Sequence, residues 1–338
     1  MTVSQTLEAL LNRQDLSHEA MLVTMSQVMA GELTPAQIAG FIIALRAKGE
    51  TVTEISAAAM VMRGLSTKVT ITDTAHLVDT CGTGGDGIQT FNVSTVSAFI
   101  AAAAGAKVAK HGGRSVSSTC GSADVLEVLG VNVNLTPEQV ASCVNNIGIG
   151  FMFAPNHHSA MKHAAPVRRE LGVRTLFNLL GPLTNPANAK NQVMGVFERS
   201  LTGKLAQVLQ MLGSHHVMVV HGADGMDEIS FTGDTFVAEL KDGVVREYVL
   251  NPTQFGMPLH ALADIQVKDA AASKAMILKV LNGEKGAARD IVLLNAGAAI
   301  YVSGLANSLQ AGITQSASVI DTGMALTKLN DLIALSHQ

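Results

Sequence analysis

Tryptophan is absent, tyrosine occurs twice, and aromatic residues make up only 4% of 338. The core therefore cannot rest on stacked rings. It must be filled with Ala, Val, Leu, Ile and Met around tight turns, which 31 glycines allow. Cysteine is scarce too. Cys81, Cys120 and Cys143 are an odd set without CxxC spacing, which excludes a disulfide framework and a zinc site built on them. A reducing compartment fits best. There is no long basic block, and 23 basic against 27 acidic residues leave a net charge of −4. Nucleic-acid binding through a general electrostatic field is disfavoured. The richest apolar run, Ala98 to Ala106, is about half as long as a membrane span needs. Met1 to Leu16 carries no apolar segment of the secretory kind. We expect a cytoplasmic protein with neither membrane nor nucleic acid as partner. What is present is 48% hydrophobic residues, over a length that suits one large domain or two unequal ones.

Residues 1 to about 66 read as helix throughout. Thr34-Pro35-Ala36-Gln37 and Thr51-Val52-Thr53-Glu54 are capping boxes, the first with proline at the opening helical position. Apolar residues then recur at three and four: Ile38, Phe41, Ile42, Leu45, and Ile55, Ala58, Ala59, Met62. Near residue 70 the pattern changes to short strand, glycine loop, helix. Strands are expected at 76–79, 107–110, 150–153, 193–197 and 216–220. A hairpin of 235–240 and 244–250 turns at Asp242-Gly243. Helices are expected at 94–104 and 122–129, after the Thr136 cap, and through most of the chain beyond 264. This alternation predicts an α/β domain with a mainly parallel sheet beside a small all-helical one. Residues 160–186 break the rhythm and read as a crossing between the two.

The densest chemistry lies in Asp79-Thr80-Cys81-Gly82-Thr83-Gly84-Gly85-Asp86-Gly87, then Asn92-Val93-Ser94-Thr95, then Lys110-His111-Gly112-Gly113-Arg114. Gly82, Gly84 and Gly87 satisfy G-x-G-x-x-G after a strand, which suggests a dinucleotide fold. Three features count against that. Asp86 would face a pyrophosphate, the helix does not start at the third glycine, and the next strand ends in Lys110-His111 instead of a ribose-binding acid. No Walker A sequence is present. A phosphate nest fits better, with the amides of Gly84, Gly85 and Asp86 around an anion and Asp86 on a sugar hydroxyl or a metal. Ser94 and Thr95 sit at a helix start, where hydroxyls and free amides meet phosphate. A plain strand-to-helix turn with Ser94 as its cap is the structural alternative. Lys110 to Ser118 adds cations and hydroxyls to the same region.

Asp227-Glu228 follows an apolar strand, where α/β sites are built. Adjacent carboxylates repel unless a cation lies between them, so both are candidate Mg2+ ligands; a solvated acidic turn is the alternative. Arg168 offers a planar fork for a carboxylate, or pairs on the surface with Glu170. His157, His158, His163, His215 and His216 lack the spacing of a zinc site.

At these residues the chain resembles the anthranilate phosphoribosyltransferase family of tryptophan biosynthesis. Gly82 to Gly87, Asn92 to Thr95, Lys110-His111-Gly112, Gly121-Ser122-Ala123-Asp124, Pro166 to Arg169, Asn178 to Pro186 and Asp227-Glu228 carry the resemblance, which runs along the whole chain. It implies a nucleoside phosphorylase type II-like fold: a helical domain of residues 1–68 and 163–186, and an α/β domain of residues 69–162 and 187–338. It implies a homodimer through the helical domains. It also implies transfer of the phosphoribosyl group of 5-phosphoribosyl 1-diphosphate to anthranilate, giving N-(5-phosphoribosyl)anthranilate and pyrophosphate. The donor would be held by Gly82, Gly85, Asp86, Thr90, Asn92, Val93, Ser94, Thr95, Ser122 and the loop Lys110, His111, Gly112, Gly113, Arg114, Ser115, Val116, Ser117 and Ser118. Mg2+ would be held by Ser94, Asp227 and Glu228. Anthranilate would meet Gly82 and Arg168; Arg168, His111 and Lys110 would serve the reaction directly. Many members have asparagine at the position of Gly113. A pyrimidine nucleoside phosphorylase-like enzyme and a non-enzymatic nucleic-acid-binding relative share this fold and are the competing readings.

Overall fold

The chain opens with four helices, Val3–Leu11, His18–Ala30, Pro35–Lys48 and Val52–Leu65. The structure, a computed structural model, describes residues 1–114 and 120–338. Both capping boxes form. Thr34 Oγ1 accepts from the Gln37 amide while the Gln37 side chain accepts from the Thr34 amide, and Thr51 and Glu54 do the same. Each cap satisfies helix-end amides that would otherwise be orphaned, worth about 1 kcal/mol.

Seven strands form one sheet among the described residues: β1 (Leu77–Asp79), β2 (Lys107–Gly112), β3 (Ile149–Phe153), β4 (Asn191–Gly195), β5 (His216–Gly222), β6 (Thr235–Lys241) and β7 (Val244–Leu250). Their order is β3-β2-β1-β4-β5-β6-β7. The first five run parallel and the last two antiparallel. The β6–β7 hairpin turns where expected, with Asp242 and Gly243 at φ 52° and 73°, both left-handed as a twist-matched two-residue turn requires.

β4 begins two residues earlier than hydrophobicity suggests. Asn191 and Gln192 look like loop residues, but their amides are spent on backbone: Asn191 Nδ2 donates to Leu77 O at 3.0 Å, and Gln192 Nε2 to Cys81 O at 3.0 Å and Pro182 O at 2.9 Å. β2 runs on to Gly112, which pairs with Phe153, so the second glycine loop starts later than expected.

Alternate side chains of the central strands enter two apolar clusters. Val193, Met218, Val220 and Val237 join the one that holds helices Val93–Ala103, Ala287–Val302, Leu309–Asp321 and Met324–Leu335. Met194, Val217, Val219 and Ala238 face the other, which is continuous with helix Leu201–Met211 and the four N-terminal helices. The sheet is covered on both faces, as parallel strands need. Connections leave β1 and β4 toward opposite sides, so a crevice opens at their carboxyl ends, where α/β folds bind ligands. No helix of the described residues is long and apolar enough to cross a membrane.

Candidate active site

The glycine loop leaves β1 into that crevice. Gly84, Gly85 and Gly87 have φ of 65°, 77° and 78°, a run that side chains would strain. The loop is tethered rather than packed. Thr83 N donates to Gly195 O at 2.9 Å, and Phe197 N donates to Thr83 Oγ1 at 3.1 Å. Asp86 Oδ1 accepts from Ile88 N at 3.1 Å.

The acid pair comes from the turn after β5 and closes on this loop. Gly84 N donates to Asp227 Oδ2 at 2.9 Å, and Asp227 N lies 3.5 Å from Asp86 Oδ2. Glu228 Oε1 accepts from Ser94 N at 3.1 Å, at the first turn of helix Val93–Ala103. Two amides expected to face a phosphate, those of Gly84 and Ser94, are thus held by the protein's own carboxylates. Burial pushes Asp227 and Glu228 above the usual carboxylate range, and the crowding of Asp86, Asp227 and Glu228 adds to it. Asp224, nearby, is spent on its own turn, accepting from Met226 N, Ser230 Oγ and Thr232 Oγ1.

Lys110 rises from β2 beneath the loop, 4% exposed, donating to Thr80 O at 3.0 Å and approaching Ser94 Oγ at 3.4 Å. Asp79, wholly buried, accepts from His111 N at 3.1 Å and from Asn185 Nδ2 at 2.6 Å, fixing the start of the second loop. Asn92 bridges elements, with Nδ2 on Cys120 O at 3.2 Å and Oδ1 accepting from Ser273 Oγ at 2.7 Å. Val93 and Thr95, each 1% exposed, face the core. Thr90 forms a bridge with Gln266. Ser122 begins its helix with Oγ 3.4 Å from Gly113 O, and a side chain at Gly112 would strike that hydroxyl. A Cβ at Gly113 would meet nothing within 4 Å among the described residues. Arg114 turns away, its guanidinium paired with Asp124 at 2.9 Å and Glu127 at 2.7 Å. Ser115, Val116, Ser117 and Ser118 lie outside the described residues.

Sequence reasoning missed Gly195, the last residue of β4. A Cβ there would fall 1.5 Å from Asp227 O. Its carbonyl accepts from Thr83, so it separates the two halves of the site by one backbone thickness. Glycine inside an apolar strand is the signal that marks such a close approach. Gly195→Ala should displace the acid-bearing turn. We expect the thermal midpoint to drop by several degrees, from an overpacking cost of roughly 1–3 kcal/mol, together with loss of activity. A variant with wild-type midpoint and activity would refute this contact.

Beyond β2 the wall is made of histidines. His111, His157 and His158 are all buried, with the His111 and His158 rings 5.1 Å apart and tilted by 58°. His157 Nδ1 lies 2.9 Å from Thr67 O, while its Nε2 and the His158 Nε2 have no hydrogen-bond partner among the described residues. Burial, then mutual repulsion, lowers His111 to about 3 and His158 to about 4. They are neutral when folded and charged when unfolded below about pH 6.5, so the unfolded chain binds more protons there and stability falls with pH. At pH 5 the two together remove roughly 4 kcal/mol relative to pH 7. Asp79, Asp227 and Glu228, buried and pushed up, act the other way over the same range, so the histidines show in the difference: from pH 7 to pH 5 the midpoint of His111→Asn with His158→Asn should rise relative to that of the parent. Equal slopes in both proteins would overturn this account.

Arg168 lies on helix Ala165–Leu171. It is half-buried, lies 5.2 Å over the Phe177 ring, and makes no ion pair among the described residues, so the surface pairing with Glu170 does not form.

Fold and site together define a two-part α/β glycosyl-transferring protein. Residues 74–326 match the a/b domain of the glycosyl transferase family, and residues 4–66 its helical bundle domain. An anthranilate phosphoribosyltransferase of Methylobacillus flagellatus is 66% identical over 337 residues, 100% of this chain and 99% of that one. One of Chromobacterium violaceum is 59% identical over 338 residues, with 100% and 99% covered. The solved structure of anthranilate phosphoribosyltransferase from Thermus thermophilus superposes with TM-score 0.93 at 40% identity, covering 98% of this chain and 99% of that one. That of the Saccharomyces cerevisiae enzyme in complex with PRPP and Mg gives 0.88 at 27% identity, covering 99% and 98%. The chain belongs to the anthranilate phosphoribosyltransferase family.

Proposed function

We propose that this chain transfers the phosphoribosyl group of 5-phosphoribosyl 1-diphosphate to the amino group of anthranilate, releasing pyrophosphate. The observation that carries the reading is the closure of Asp227 and Glu228 onto the amides of Gly84 and Ser94 at the carboxyl ends of the parallel strands. The names of the relatives support it.

Mg2+ fits the residues present. Asp86, Asp227 and Glu228 crowd one place, and burial with the nearby acids disfavours the charge of Asp227 and Glu228. Mg2+ takes a few carboxylates together with waters and substrate phosphates, which is what this pair with the Ser94 hydroxyl offers. Asp227, Glu228 and Ser94 would hold it. When bound, the ion supplies charge that stabilises the departing diphosphate. With Asp227 and Glu228 on the ion, the amides of Gly84 and Ser94 would be donors for the diphosphate oxygens.

Breaking the C1–O bond leaves positive character on the ribose and negative charge on pyrophosphate. Lys110, fixed beneath the loop, opposes that negative charge. The acceptor is a neutral aryl amine, already nucleophilic, so the site must chiefly position it. Arg168 would take its carboxylate, and the neutral histidine wall would keep water out of the acceptor side. Among the described residues, the space at Gly113 leaves room for acceptor or water where many relatives carry asparagine. Residues 1–68 with 163–186 would form the acceptor-side and dimer-forming unit, and a cytoplasmic location fits the three unpaired cysteines.

The test is loss of anthranilate fluorescence on mixing with enzyme, 5-phosphoribosyl 1-diphosphate and Mg2+. The expected result is loss that needs all three. No loss with folded protein would refute the acceptor.

A further inference from the structure

Arg174 is an exposed residue with two oriented contacts. Its guanidinium donates from Nη2 to Gly85 O, and lies 4.2 Å over the Phe197 ring. An exposed arginine ordinarily keeps its rotamer freedom, worth about 2 kcal/mol. Here both partners belong to the glycine-loop side of the crevice. Phe197 is also the residue whose amide donates to Thr83 Oγ1. Arg174 therefore grips the loop directly at Gly85 and indirectly through the ring beside Thr83.

Arg174 itself comes from the other side. Gly172, at φ 63°, ends the helix that carries Arg168 and turns the chain back toward the loop. The same short arm thus bears Arg168 over Phe177 at one end and Arg174 over Phe197 at the other. The loop has few other restraints. Its glycines bring no side chains, and among the described residues its remaining tethers are Thr83 to Gly195 and Phe197, Gly84 to Asp227, and Asp86 to Ile88 and Asp227. Freeing the Gly85 carbonyl lets the Gly85–Asp86 peptide swing, carrying the Asp86 amide and carboxylate with it.

We infer that Arg174 is a positioning residue that locks the Gly82–Gly87 loop from the arm bearing Arg168, so that the diphosphate site reaches full affinity only when that arm is seated. The names of the two sides rest on the transferase reading; the mechanical link does not.

The test is calorimetric titration of the full chain with inorganic pyrophosphate in the presence of Mg2+. Arg174→Ala should bind about tenfold more weakly than wild type, about 1.4 kcal/mol. Arg174→Lys should recover most of that affinity, since an ammonium can reach the same carbonyl and ring. Thermal midpoints of the three proteins should agree within about 0.5 °C, so that the weakening is not a loss of fold stability. In turnover, the donor KM should rise with Arg174→Ala while the anthranilate KM stays within a factor of two. Unchanged pyrophosphate affinity, a lysine variant as weak as alanine, a weakening that follows a lowered midpoint, or a rise confined to the anthranilate KM would each overturn the inference. A wild type that binds pyrophosphate with Mg2+ but does not modify anthranilate would overturn the transferase reading alone. A wild type that fails to bind pyrophosphate with Mg2+ would overturn both.

Discussion

Asp227→Asn combined with Glu228→Gln should lower Mg2+-dependent transfer by about 10³-fold or more, in a protein at least as stable as its parent. The two halves of that result share one cause. Both carboxylates are pushed toward their neutral forms by burial and by one another, so they oppose folding at neutral pH. The amides keep their hydrogen bonds to Gly84 N and Ser94 N through the remaining carbonyl oxygens, and the repulsion disappears. What is lost is the charge that draws a divalent cation against the diphosphate. Several kcal/mol of stabilisation of the leaving group goes with it, at tenfold in rate per about 1.4 kcal/mol. The check is initial rate against Mg2+ concentration, with thermal midpoints of both proteins. Retained Mg2+-dependent turnover, or an unfolded variant, would sink the assignment.

Arg168→Ala should raise the KM for anthranilate by about 10–100-fold and leave the donor KM within a factor of two. The guanidinium is half-buried, stacked on Phe177, and makes no ion pair among the described residues. Burial makes its charge less comfortable, so an arriving carboxylate completes an interaction that the fold leaves open. A hydrogen bond to a charged group contributes about 1.5–3 kcal/mol, which sets the expected range. Lysine should restore little, because a point charge does not reproduce the planar fork. Steady-state kinetics with each substrate varied separately decides it. Equal damage to both KM values would mean that Arg168 holds the arm rather than the acceptor.

Much of this was written in the sequence where a local rule governs. The capping boxes at Thr34 and Thr51, the Asp242-Gly243 hairpin and the rhythm of short strand and glycine loop are local, and each falls where its residues put it. Asp227 and Glu228 could be singled out because adjacent acids after an apolar strand are costly without a cation. Legibility failed where a residue is chosen for a distant partner. Gly195 falls inside the run 193–197 expected as a strand, and only the approach of Asp227, 32 residues on, explains it. Arg114 looked like a phosphate ligand by its neighbours, yet Asp124 and Glu127 claim it. Arg174 lies in the irregular stretch 160–186, where no local rule singles it out, and its contacts are with Gly85 and Phe197 on other elements.

The strand order also bears on how the protein is made. β1, emitted early, pairs on one side with β2 but on the other with β4, which leaves the ribosome after about a third of the chain has intervened. The acid-bearing turn comes later still, and the helices that cover one face of the sheet come last. The four N-terminal helices, rich in local contacts, are free to form at once. The sheet must wait, and long-range parallel pairing is slow. The nascent chain thus carries an exposed apolar sheet edge through much of its synthesis, the interval in which chaperone capture or misassembly would act.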